Sequence, residues 1–415
     1  MKIGFKPIYI LLLLLGGWAA AEQSATAFEY HLGGGLFDTF HVNRNFLDPD
    51  TLRFNRDESY MVTSGLADLS VSGNGRISGY LSGSADWIHD FEPDDSDDVD
   101  VRLVNAYLRY AGEKISADLG KERFVFGRGL ILDDDKTGLS FAWSPLKSKY
   151  LELKAARADE SSPLVSVTAG DRPGFLEKIE LFGAYMHDGD NGFADLVNRR
   201  DPLNDPFSGD GDIGWAGVAA DLFISSLYVS GIAMWETGRM TLDRGPLETS
   251  IDLSAWLFDA QASYNLSPAL SSGIFLFAAS GDSSAQNGKF RGFISPLPYN
   301  PRADIFFSGG LDGSDISEGF SLAGALPPGV IAPGVELTFQ PNSNWMAKLS
   351  SAAFLPEAET ARAGNWYGWE TDLSVTRTWG ETAEIFIILG AFEPGDLLES
   401  VDTIMSGRIG LSLFF

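Results

Sequence analysis

The chain has 415 residues, 44% of them hydrophobic and 12% aromatic, with a formal charge of −27 and no cysteine. Lack of cysteine excludes a disulfide scaffold, thiolate metal sites and c-type haem attachment, and the acid excess argues against a nucleic-acid partner, which requires a basic footprint. Beyond the N-terminal segment nothing approaches the run of about twenty apolar residues that a transmembrane helix needs.

Lys2 and Lys6 precede an apolar run at 8–15, and Ala19, Ala20 and Ala21 stand before Glu22. A short basic region, a short apolar core and a small-residue cleavage site read as a secretory signal peptide over 1–21. Residues 22–415 then form one domain, with no linker and no repeat beyond a hairpin rhythm.

That rhythm is one of alternating segments about ten residues long, separated in turn by tight turns and longer loops, as in an antiparallel membrane barrel. The segments are 28–40, 61–72, 76–88, 101–111, 114–124, 138–144, 149–158, 163–170, 176–187, 214–223, 227–237, 251–264, 269–280, 331–340, 345–354, 366–379, 381–392 and 403–415. Asn74-Gly75 is a hairpin signal, and along 76–88 Ile77, Gly79, Leu81, Gly83, Ala85 and Trp87 share one face. An even number is required if both ends lie on the periplasmic side, and eighteen strands with eight short turns and nine outer loops satisfy it. The expected fold class is therefore all-β, a transmembrane antiparallel β-barrel of about 18 strands, with 16 to 20 allowed. Trp87, Trp143, Trp235, Trp345, Trp369 and Trp379 fall near strand ends, where amphipathic rings favour membrane interfaces.

The last strand, TIMSGRIGLSLFF, sets Ile409, Leu411, Leu413 and Phe415 on one face and stops on an aromatic. It resembles the closing strand of bacterial outer-membrane barrels, whose terminal aromatic belongs to the signal read by the outer-membrane assembly machinery. Over 100–158, Asn105, Ala106, Tyr107, Tyr110, Leu119, Gly120, Lys121, Gly127, Gly138 and Leu139 form a pattern that resembles the alginate-export family of outer-membrane porins. That resemblance implies an eighteen-stranded barrel passing an anionic polysaccharide outward.

Alternation assigns Arg76, Arg109, Lys154, Lys178, Lys348 and Arg408 to the lumen, where cations can hold carboxylates in transit. The same face carries Asp86, Asp118, Glu152, Glu180, Glu370 and Asp372, together with Asp68, Asp221 and Glu336. Inward acids outnumber bases, contrary to what a polyanion conduit calls for. Lys121 and Arg123 come out facing lipid unless a bulge near Gly120 turns them, and Asp259, Gln261 and Ser263 need a phase change after Ile251, Leu253 and Ala255. The long segment 281–329 holds Lys289, Arg291, Tyr299 and Arg302. Three placements fit it: an infolded constriction, a lid over the mouth or a surface loop.

The expected partners are membrane lipid and a hydrophilic solute or polysaccharide, with no cofactor, though the acidic loop 90–100 offers loose Ca²⁺ ligands. Two other classes compete with a channel in the outer membrane. A barrel can sheath a partner such as an electron-transfer cytochrome, in which case its lumen should be wide and without an inserted loop. An outer-membrane hydrolase would bring His89-Asp90 or His187-Asp188 together with a serine on the outer rim, although neighbours in a strand point to opposite faces.

Overall fold

The computed structural model describes residues 29–415 apart from 49–52, 74, 92–97, 160, 174–175, 190, 201–207, 245–246, 283–287, 297–301, 308–319, 323–327, 359–363 and 399–400. The signal segment 1–21, Tyr299 and most of the acidic loop 90–100 lie outside the described residues.

Eighteen strands form the barrel. In chain order they are β1 (Glu29–Asp48), β2 (Arg53–Gly73), β3 (Ile77–Asp90), β4 (Asp98–Ala111), β5 (Ile115–Phe126), β6 (Leu132–Leu146), β7 (Lys149–Arg157), β8 (Pro163–Asp171) and β9 (Lys178–Asp188). There follow β10 (Ser208–Ile224), β11 (Leu227–Arg244), β12 (Leu247–Ser267), β13 (Leu270–Ala279), β14 (Val330–Asn342), β15 (Trp345–Phe354), β16 (Gly368–Trp379), β17 (Ala383–Pro394) and β18 (Ile404–Phe414). Each pairs antiparallel with its chain neighbours, and β18 closes on β1 from Gly35↔Phe414 to Arg44↔Met405. The final residue takes part: Gly34 N–H donates to the Phe415 carbonyl at 2.9 Å and Phe415 N–H donates back at 3.1 Å. Closure leaves the barrel no sheet edge.

The exterior is apolar because lipid, not protein, covers it. On β18 Ile409, Leu411 and Leu413 are exposed while Ser406 and Ser412, on the other face, are buried. All six tryptophans named above stand exposed on the outer face. Trp369 and Trp379 lie ten residues apart on β16, a height of about 25 Å at the usual strand tilt and so the apolar band of an outer-membrane barrel. At the short-turn end Arg377 sits between two rings, 4.9 Å from Trp345 and 4.5 Å from Trp379, a cation held at the interface rather than in hydrocarbon. No described helix is long and apolar enough to span a membrane; the crossing is made by strands.

Several expectations need correction. The stretch 132–137 continues β6 rather than the loop, with Asp133 bound to Arg123 at 2.6 Å and Asp134 to Lys136 at 2.9 Å. No bulge interrupts β5 at Gly120: its pairing with β6 runs unbroken from Ile115 to Phe126. The irregularity lies on β4 instead, where the register with β3 shifts between Ser82 and Gly83. Lys121 therefore stays on the outer face and donates to the Leu103 carbonyl there. Nor does β12 change phase, since its pairing with β11 is continuous. Ile251, Leu253 and Ala255 point inward with Asp259, Gln261 and Ser263, because an infolded loop gives that part of the lumen an apolar covering.

Candidate functional site

Among the described residues, two connections that turn inward narrow the lumen. The larger runs between β13 and β14, within the long segment 281–329. Near Ile294 it is fixed by two wall residues: Ile294 N–H donates to Glu236 on β11 at 2.9 Å, and Trp215 Nε1 on β10 donates to the Ile294 carbonyl at 3.2 Å. Phe293 and Ile294 are fully buried there. Alongside, a nine-residue helix, α1 (Gly192–Arg200), sets Phe193 edge-on to Phe290 at 5.4 Å. Asp188 caps that helix, accepting from Gly192 and Phe193 N–H at 3.0 and 2.9 Å.

Farther along, residues 302–307 run across the inner wall from β12 to β18. Arg302 forms a two-pronged pair with Asp259 at 3.0 and 2.8 Å, reaches Gln261 at 2.8 Å and covers the Phe275 ring at 5.1 Å. Asp304 accepts from Ser406 at 2.7 Å and pairs with Arg408. The buried Glu370 carboxylate accepts two successive backbone N–H groups, Ile305 at 2.6 Å and Phe306 at 2.9 Å. Phe306 then stacks on Phe354 at 4.0 Å and packs near Tyr367 and Phe392. Of the three placements open from sequence, the described part of this segment takes the infolded one.

The second inward connection, residues 127–131 between β5 and β6, is short. Arg128, in a left-handed conformation at φ 57°, reaches from it to Glu180 on β9 at 3.2 Å, Asp221 on β10 at 2.9 Å and Ser230 on β11 at 3.1 Å. Glu180 is also bound by Tyr150 and by Lys178 at 2.8 Å. Strand alternation does not reach Arg128, which lies in a loop; its flanks, Gly127 and Gly129, both at positive φ, are the local signal of a sharp inward turn.

Register sets most of the candidate residues on the inner face of the strands. Arg109, Lys154, Lys178, Lys348 and Arg408 all point into the lumen, as do Asp86, Asp118, Glu152, Glu180, Glu370 and Asp372. Each of those bases meets an acid: Arg109 with Asp118 at 2.6 Å, Lys154 with Glu152 at 3.1 Å, Lys178 with Glu180, Lys348 with Glu336 at 3.1 Å, and Arg408 with Asp304. Arg76 does not join them; it is an exposed turn residue just ahead of β3. Lys289 and Arg291 are exposed, Lys289 in a short stretch paired with β12 at Asp252, and Arg302 grips the wall through its side chain. The chain's four histidines do not converge. His41 stacks on Tyr60 inside, His89 packs against Trp87 and Phe91 outside, His187 pairs with Asp212 on the outer face, and His31 lies near the start of β1. No group able to hold a metal ion is found among the described residues.

A closed cylinder with a lipid-facing apolar band and a loop-narrowed, ion-paired interior defines an outer-membrane β-barrel of the porin fold. Solved structures agree. The chain is similar to OccK5 (OpdH) of Pseudomonas aeruginosa, with a TM-score of 0.59 and 12% identity over 93% of this chain and 98% of that one. It is similar also to OccAB1 of Acinetobacter baumannii, TM-score 0.59 and 10% identity over 92% and 96%. A third match is Pseudomonas aeruginosa OpdK solved with vanillate, TM-score 0.56 and 12% identity over 92% and 98%. No protein-family model matches the chain, and no curated protein matches its sequence. The eighteen strands implied by the alginate-export resemblance are present, whereas membership of that family is not supported.

Proposed function

We propose that the protein is a channel through which a small hydrophilic solute diffuses across the outer membrane, with its size limit set by the infolded segments. The observation that carries this reading is the clamping of residues 302–307 to β12, β16 and β18 through Arg302, Glu370 and Asp304. A sheath for a cytochrome calls for a wide, loop-free interior, and here the interior is narrowed and charged, as solute passage requires. An anionic polysaccharide fits less well: the pathway is constricted, and an acid accompanies each inward base named above. For a hydrolase, no His, Asp and Ser gather on the outer rim among the described residues. OpdK is recorded with vanillate, a small organic acid, and a solute of similar size suits this lumen.

The test is reconstitution in planar bilayers and in liposomes. A steady, ohmic conductance is expected, with liposome swelling for monosaccharide-sized solutes and none for polymers of several sugar units. Absence of conductance from folded protein would return the reading to a sheath, and swelling by oligouronates would return it to polysaccharide export.

A further inference from the structure

On the outer wall, where β18 carries no side chain at Gly407, lies a groove of about 340 Å³. Phe40 and Val42 of β1, Ile387 and Leu389 of β17 and Ile409 of β18 line it, and Arg44 stands at its end. Register puts these residues on the lipid side, Phe40 opposite Ile409, Val42 opposite Gly407 and Arg44 opposite Met405. From Phe40 to Arg44 the groove follows the strand for roughly 13 Å. It rises toward the long-loop rim, and Arg44 stands farther that way than the pairing row that joins Asp38, Thr63 and Trp87. On the other side Leu389 lies four positions short of Glu393, the partner of the outer-girdle Trp369, and Arg44, level through Met405 with Ala391, lies two short of it; the groove thus spans the outer interface, with Arg44 at its head-group end.

The end bearing Arg44 is a built feature. The pairing of β1 with β2 shifts register between Asn43 and Phe46, and Asn45 at the bulge is left-handed, φ 58°. Two contacts fix it: Asn45 Nδ2 donates to the Thr403 carbonyl at 2.9 Å, and its N–H donates to Asp57 Oδ1 at 2.9 Å. A bulge re-aims the adjacent side chain. Here the adjacent residue is Arg44, which lines the groove.

We propose that this groove binds an anionic lipid of the outer leaflet, one acyl chain lying over Gly407 and the lipid phosphate meeting Arg44. A slot floored by aliphatic side chains takes a chain of methylenes for the same reason a core does. A guanidinium at the interface recognises phosphate through charge-assisted hydrogen bonds. A protein partner would need a broad apolar patch, and a second copy would bring like charges together at Arg44.

The test uses the full-length barrel in phosphatidylcholine nanodiscs doped with lipid A or, separately, with phosphatidylglycerol, and counts retained lipids by native mass spectrometry. Wild type is expected to hold lipid A above its share of the disc. A Cβ at Gly407 would meet only Leu389 at 3.6 Å and the Val42 carbonyl at 3.9 Å, so Gly407→Leu fills the groove without displacing the strand. That variant and Arg44→Gln should each lower the enrichment about fivefold, while both keep the heat-modifiable band of a folded barrel. Equal retention by all three proteins, enrichment of phosphatidylglycerol alone, or a wild-type dimer that Gly407→Leu dissociates would each overturn the assignment.

Discussion

The single residue on which the narrowed lumen most depends is Glu370. Its two carboxylate oxygens accept from the backbone N–H groups of Ile305 and Phe306 at 2.6 and 2.9 Å, and the side chain is shut off from water. Glutamine has one acceptor oxygen and an NH₂ that can only donate. Glu370→Gln therefore leaves one N–H facing a donor, at a cost of about 1–3 kcal/mol. The expected result is a larger, noisier conductance and faster protease cleavage near 302–307, with the barrel still folded. Arg302→Met should act in the same direction, since it strands Asp259 and Gln261 in a half-buried site. Unchanged conductance in both variants would mean that this segment does not set the pore. Glu370 was legible as an inward acid from alternation, but its role was not, because backbone N–H groups leave no mark in a sequence.

At the scale of elements, strand existence was written plainly in the chain and strand ends were not. A lipid-facing strand must be apolar at every second position across the bilayer, which fixes the alternation over about ten residues. Beyond that height either face can be polar, so β1 continues through His41–Asp48 and β12 begins already at Leu247, where the pattern is silent. The apparent phase error along β12 has the opposite cause: the infolded loop makes a lumen face greasy, and alternation reads greasy as outward. Gly120 shows how tightly two elements can be joined. It sits at φ 138°, and a Cβ there would fall 2.1 Å from the Ala106 carbonyl oxygen and 2.7 Å from Tyr107 Cα. Gly120→Ala should separate β4 from β5 locally and cost about 2–3 kcal/mol, read as a lower urea midpoint of the detergent-refolded barrel and a reduced folded band. An unchanged midpoint would show that β4 and β5 can move apart freely, contrary to the close approach seen here.

The charge of the whole molecule bears on what the lumen admits. The inward bases named above are each neutralised by a neighbouring acid, and Arg102 likewise lies 3.0 Å from Asp86. Beyond those pairs Asp68 and Asp372 share the same face, Glu122 shares Arg109 with Asp118 at 3.8 Å, and the full chain carries −27. Field lines from such acids are confined by the low-dielectric wall and concentrate cations in the lumen. In a KCl gradient the reversal potential should therefore take the sign of potassium preference. The preference should weaken as salt rises, because the screening length falls from about 10 Å at 0.1 M to about 3 Å at 1 M. Asp68→Asn combined with Glu122→Gln should reduce the potential without altering the single-channel conductance at high salt, because neither residue holds the infolded segments. An anion preference at low salt would mean that the paired bases, and not the surplus acids, govern entry, and it would bring an organic acid or a uronate back as the solute.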